Sequence, residues 1–238
     1  MAKASQPAAV PAPAFIRLLA RLAEVDLRTP GHALVDRLGE WIDWTRAVVL
    51  SSALDGRLPA TRDAPGDDGD PRHECTRVRD ALVAGIAADP ETATPKWRGR
   101  QQADPDGYAV FRERYLDLQR MMQAETGRLR GQLRDRLGQA SPELARLAGV
   151  DAVMEATLSP REHALLARVP TLLGHHHARL RTEGLAPQAP LEFPADPGTD
   201  DAGTWRDMFR QDMRNVLLAE LDVRFHPIEG LLAALRTA

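Results

Sequence analysis

Between Gly107 and Gln139 the chain returns to a large, mostly apolar side chain every third or fourth residue: Tyr108, Phe111, Tyr115, Leu118, Met122, Thr126, Leu129, Leu133 and Leu137. Arg112, Arg114, Asp117, Arg120, Gln123, Arg128, Arg130 and Asp135 fill much of the remaining circumference. A repeat near 3.6 residues predicts an amphipathic helix and excludes an alternating strand. At 1.5 Å per residue that helix is about 50 Å long. A rod of this length can bury its stripe only if other elements line it, so the feature calls for helix-on-helix packing.

The rest of the chain repeats the theme. A small polar residue followed by proline starts helices well, because the first turn needs no N–H; the pair occurs at Thr29-Pro30, Asp70-Pro71, Asp104-Pro105, Ser141-Pro142 and Ser159-Pro160. Glu162 completes a capping box with Ser159, and Thr204 with Asp207 resembles one. Helices are predicted over 14–25, 30–54, 71–88, 142–147, 151–158, 160–183, 204–225 and 227–235. In the 30–54 helix, Leu34, Leu38, Trp41, Ile42, Thr45, Val48, Val49 and Ser52 share the expected inner side. Pro170 is expected to kink the 160–183 helix after Val169. No run of alternating β-branched residues is bounded by turn pairs, and no internal repeat of fixed period points to a solenoid. The predicted fold is all-α, an irregular helical bundle with one long central helix. Residues 1–13 are expected to form a disordered Ala- and Pro-rich tail and 14–183 the bundle. Residues 184–203, with Pro187, Pro190, Pro194 and Pro197, read as a tether, and 204–238 as C-terminal helices that pack back.

Charge narrows the function. The 238-residue chain has 34 acidic and 31 basic residues, a formal net charge of −3. That balance lacks the overall positive field by which most nucleic-acid binders attract phosphates. Only Lys3 and Lys96 are lysines, an arginine excess that fits a GC-rich genome better than a phosphate code. The longest strongly apolar stretch, Ala47 to Leu54, is too short to cross a bilayer, and the run from Phe15 is broken by Arg17 and Arg21. Cys75 is the only cysteine and cannot close an internal disulfide. A cytoplasmic protein without direct membrane insertion is the expectation.

The chemistry-bearing residues form no reaction centre that spacing alone identifies. His175, His176 and His177 diverge by about 100° per residue on a helix and cannot converge on one ion. His176 is expected to point inward, His177 to flank it and His175 to face out. No Glu is followed three positions later by His, as di-iron bundles require. His73-Glu74-Cys75 lacks the second histidine of a zinc-protease motif. Glycine-rich dinucleotide and phosphate loops and the Gly-x-Ser-x-Gly elbow are absent. Arg72, Arg77 and His73, with a first helical turn, would in principle lower the Cys75 thiol pKa. No catalytic, cofactor-binding or metal residue is therefore expected.

Two features stand out. Glu220 falls on the stripe of Trp205, Phe209, Met213, Val216 and Val223, with Asp212 near its edge. A carboxylate on a buried face must be paired or protonated, and a salt bridge to an arginine is the reading preferred over an acid/base role. Gly127, Gly131 and Gly138 share a flank of the long helix with Ala124. Small residues there fit either a close-packed second seam or tolerated surface glycines.

The segments Arg37 to Thr45, Arg114 to Met122, Ser141 to Ala148, Arg161 to Leu173 and Asp212 to Asp222 resemble an uncharacterised proteobacterial family, domain of unknown function 3348. The resemblance spans most of the chain and carries no catalytic residue with it. The resemblance implies gene neighbourhoods that encode stator-like inner-membrane proteins and an outer-membrane-protein-A-like peptidoglycan binder, and through them a cytoplasmic accessory role at a stator-like cell-envelope complex. The expectation is a non-catalytic interaction or scaffold protein with a protein partner or a second copy of itself. Trp41, Trp44, Gly127, Gly131, Gly138 and Glu220 are its candidate interface or core residues. Nucleic-acid binding through Arg128, Arg130, Arg134 and Arg136 is the alternative, weakened by the interleaved Glu125 and Asp135. A small enzyme centred on Glu220 is the third.

Overall fold

The long helix forms where its stripe predicts it. The computed structural model describes residues 12–27, 34–56, 69–88, 107–184 and 201–237, with backbone only at 34, 35, 37, 38 and 201–203. In chain order these contain α1 (Ala14–Leu22), α2 (Leu34–Trp41), α3 (Trp44–Leu54), α4 (Pro71–Ala87), α5 (Tyr108–Ala140), α6 (Pro142–Leu166), α7 (Val169–Gly184) and α8 (Asp201–Arg236). No strand occurs among the described residues, and the protein is all-α.

α5 buries the predicted row from Phe111 and Tyr115 through Leu137. It ends at Ser141, whose extended backbone turns the chain and whose hydroxyl accepts from the Leu144 N–H, while Pro142 opens α6. α8 is the second axis and runs parallel to α5: Phe209 meets Tyr108 and Phe111, and Glu220 meets Tyr115 and Gln119. α4 and α6 lie antiparallel to α5. Arg114 reaches the Gly85 carbonyl and Arg128 reaches Glu74 from one side, while Gln119 donates to the Leu166 carbonyl and Arg130 to Asp151 on the other. α7 returns antiparallel to α8, α1 rests on both, and α3 rests on α6. Tyr115, Met122, Leu137, Leu173, Phe209 and Val216 keep no exposed surface. At roughly 1.5–3 kcal/mol for each large apolar side chain, this shared core is the main stabilising term.

Several boundaries differ from those read off the sequence. The expected 30–54 helix is two: the Asp43 carboxylate accepts from the Arg46 N–H and starts α3 afresh, out of phase with α2. Ala53 therefore faces inward, while Trp44 is 83% exposed and Val48 48%. Ser159-Pro160 and Thr204 start nothing, because Pro160 lies inside α6 and Thr204 inside α8, which continues through Pro227. A proline in a helix interior costs ~3 kcal/mol, but Thr157 and Leu166 flank Pro160, and Phe225 and Ile228 flank Pro227, all buried. Ending either helix at its proline would expose them. The break near Pro170 comes earlier, at Ala167 and Arg168, and the Arg168 carbonyl accepts from Thr171 and Leu172, so Pro170 sits harmlessly in the first turn of α7. Leu165, in the last turn of α6, is 63% exposed. Residues 1–11, most of the predicted tether (185–200) and the pairs Thr29-Pro30 and Asp104-Pro105 lie outside the described residues.

Candidate functional site

Where α5, α6 and α8 meet, Glu220 is enclosed, with 1% of its surface exposed. The Tyr115 hydroxyl donates to its Oε2 at 2.5 Å, and Gln119 Nε2 lies 3.2 Å from both carboxylate oxygens. Arg224, one turn along α8, donates from Nε and Nη2 to Oε1 at 3.0 and 2.7 Å. Glu220 is thus held as a salt-bridged carboxylate. Burial, with the adjacent carboxylate second, drives the Tyr115 phenol far above its usual range, so it stays a neutral donor. The elements dictate this meeting: Tyr115 and Gln119 are four apart on one face of α5, and Glu220 and Arg224 four apart on α8.

Arg224 continues outward into a groove of about 390 Å³ between the same three helices, lined by Gln123, Gly127 and Arg130 of α5, Ser159 and His163 of α6, and His226 of α8 among others. Its charges hold the helices to one another. Arg224 lies 3.6 Å from Glu162; Arg130 grips Asp151 at 2.6 and 2.9 Å; Arg134 bonds both Asp151 and Glu155. Burial alone would lower the Arg130 pKa, but its bonds to Asp151 and the charge of Glu155 outweigh that and raise it. Ser159, His163 and His226 share this groove, and among the described residues no hydrogen bond joins Ser159 to either histidine. Nor do three His, Cys, Asp or Glu side chains gather as a metal site among the described residues.

The remaining candidates are dispersed. Trp41 is half-buried beneath the Arg161 guanidinium, 5.1 Å from its ring. A Cβ at Gly127 or Gly131 would meet nothing within 4 Å, so no other part of this chain presses on that flank and no seam within the chain forms there. Gly138 lies half-buried further along α5. The close approaches that do require glycine escaped the sequence reading. A Cβ at Gly174 would fall 2.9 Å from the Tyr108 ring, and at Gly184 2.8 Å from Trp205. His177, expected on a flank, is buried beside Tyr108, Phe111, Trp205 and Phe209, because α5 supplies the first two rings and α8 the other two, and together they close over α7's histidine turn. His176 is buried too, 2.8 Å from Asp212. Burial, reinforced by the Glu74 carboxylate, pushes the Cys75 thiol up, opposite to the activation its basic neighbours suggest. The arginines of the nucleic-acid alternative point to internal partners: Arg128 to Glu125 and Glu74, Arg130 and Arg134 to Asp151, and Arg136 to the Gly69 carbonyl.

No helix among the described residues is long and apolar enough to cross a membrane. No curated protein and no solved structure matches the chain. The family described as protein of unknown function (DUF3348) matches over residues 1–237, and the chain belongs to that family.

Proposed function

We propose that this chain is a non-catalytic interaction protein that docks a protein partner on the outer side of α3. One observation carries the reading: α3 places Trp44 at its N-terminal end with 83% of its surface exposed. Val48, one turn on, is 48% exposed, and Leu54 at the far end 58%. A tryptophan presented to solvent with an exposed valine one turn on is the kind of anchor that dominates protein interfaces. Glu220, the most enclosed carboxylate among the described residues, supports the same conclusion, since it is saturated by internal donors rather than aimed at a substrate. Its setting, following the family resemblance, is the cytoplasmic side of a stator-like cell-envelope complex.

Affinity capture from cell extract, comparing the wild type with a Trp44→Glu/Val48→Glu variant, tests this. Both substitutions fall on exposed positions, so the variant keeps its thermal unfolding midpoint within a few degrees. It loses the proteins, or the second copy of itself, that the wild type retains. Identical capture by both forms would overturn the reading, as would substrate turnover abolished by Glu220→Gln at unchanged stability.

A further inference from the structure

A second concave surface lies away from α3, between α4 and α8. Cys75, Phe225 and Ile228 are buried in its floor, Leu232 is half-buried beside them, and the cavity measures about 370 Å³. α4 and α8 run antiparallel: Arg214 donates to the Ala87 carbonyl near one end, and Arg79 meets both Asp222 and Glu229 near the other. That direction brings Arg72, in the first turn of α4, to the same end of the groove as Arg236, in the last turn of α8. Arg79 is engaged, with Glu229 and Asp222 as partners and its guanidinium 5.2 Å from the Phe225 ring. Arg72 and Arg236 are both exposed, and among the described residues neither side chain has an acidic partner. The chain as a whole carries −3, yet the mouth of this apolar trough presents two positive charges that have no acidic partner among the described residues.

We propose that the α4–α8 groove docks an acidic amphipathic helix of a partner protein, its apolar side chains entering the trough and its carboxylates meeting Arg72 and Arg236. The inference rests on reading the chain as an interaction protein but uses a different surface from α3. Charge complementarity selects the occupant, since two open guanidiniums beside an apolar floor favour carboxylates next to leucine-like side chains. Shape selects a helix. On the α4 side of the groove Arg72, Thr76 and Arg79 advance by four and three residues, or about 10 Å along the helix, and with α8 they form two ridges between which a third helix fits. A volume of 370 Å³ suits two or three side chains from one helical stripe.

Cys75, the only cysteine, makes the trough its own reporter. The probes are two fluorescein-labelled peptides of about 18 residues, long enough to be helical, with leucine every third or fourth position and either glutamate or lysine elsewhere. Fluorescence anisotropy is expected to show the glutamate peptide binding at least about tenfold more tightly than the lysine peptide. At saturation it slows the reaction of Cys75 with a small thiol reagent. Arg72→Glu/Arg236→Glu, two exposed changes that leave the fold intact, inverts the preference. Trp44→Glu/Val48→Glu leaves the peptide affinity unchanged, which separates failure of this groove from failure of the α3 surface. Equal affinity for both peptides, no binding by either, binding without protection of Cys75, or protection by dodecanoate but not by the glutamate peptide would each overturn the proposal.

Discussion

Three side chains from two helices satisfy the Glu220 carboxylate, and Arg224 is enclosed with it, its side chain only 9% exposed. Truncation at Glu220 leaves that guanidinium in the interior with only the more distant Glu162. Glu220→Ala is therefore expected to lower stability by about 3–5 kcal/mol in urea unfolding, the range for breaking a buried pair from one side. Glycines divide into two opposite cases. Gly127→Ala and Gly131→Ala, each meeting open space, are expected to stabilise by ~0.5–1 kcal/mol and to raise the unfolding midpoint together. Gly174→Ala is expected to destabilise by ~1–3 kcal/mol, because the Tyr108 ring in its way is fixed by Phe209 and by its hydroxyl bond to the Pro170 carbonyl. The sequence singled out Glu220 because its place in an apolar stripe needs no knowledge of the neighbours. It could not rank the glycines, since whether a Cβ fits depends on which ring lies opposite, and that ring comes from a residue far along the chain.

At the scale of helices, α3 shows how a single cap resets a face. Asp43 holds the Arg46 N–H, and the new helix starts with Trp44 outward and Ala53 inward. Asp43→Ala removes that acceptor and the weak ion pair with Arg46, an expected loss of about 1 kcal/mol in urea unfolding. The local pattern supported one continuous inner row from Leu34 to Ser52, because helical periodicity extrapolates well only while the backbone stays in phase. Pro160 and Pro227 fail as helix ends for the complementary reason. Propensity places a boundary at each, but Thr157, Leu166, Phe225 and Ile228 are buried on either side of the prolines, and continuous packing against other helices outweighs the lost backbone bond.

Over the whole molecule, both tyrosines of the chain hang on the α5 side of the core. Burial pushes the Tyr108 phenol up to about 12, and burial followed by the Glu220 charge pushes Tyr115 higher still. Both folded values lie above the ordinary value near 10, so the folded chain holds these protons more tightly than the unfolded chain does. Their contribution to stability is complete below about pH 10 and is lost as pH rises through the raised values. Absorbance titration is expected to show little phenolate until the fold opens, with both groups then ionising together; two independent transitions near pH 10 would contradict the packing described. The sequence by itself determined that the chain is helical throughout its recognisable elements, that α5 is a long rod needing neighbours, and that a carboxylate on α8 needs a partner. These follow from hydrogen bonds and side-chain spacing within a turn or two. Only the tertiary structure decided where helices pass through prolines, which way α3 turns Trp44, which glycines are obligatory, and that α4 and α8 leave a basic-rimmed trough between them. Each of those outcomes depends on burial shared by residues as far apart as Tyr115 and Glu220, and no local window along the chain contains both halves of such a contact.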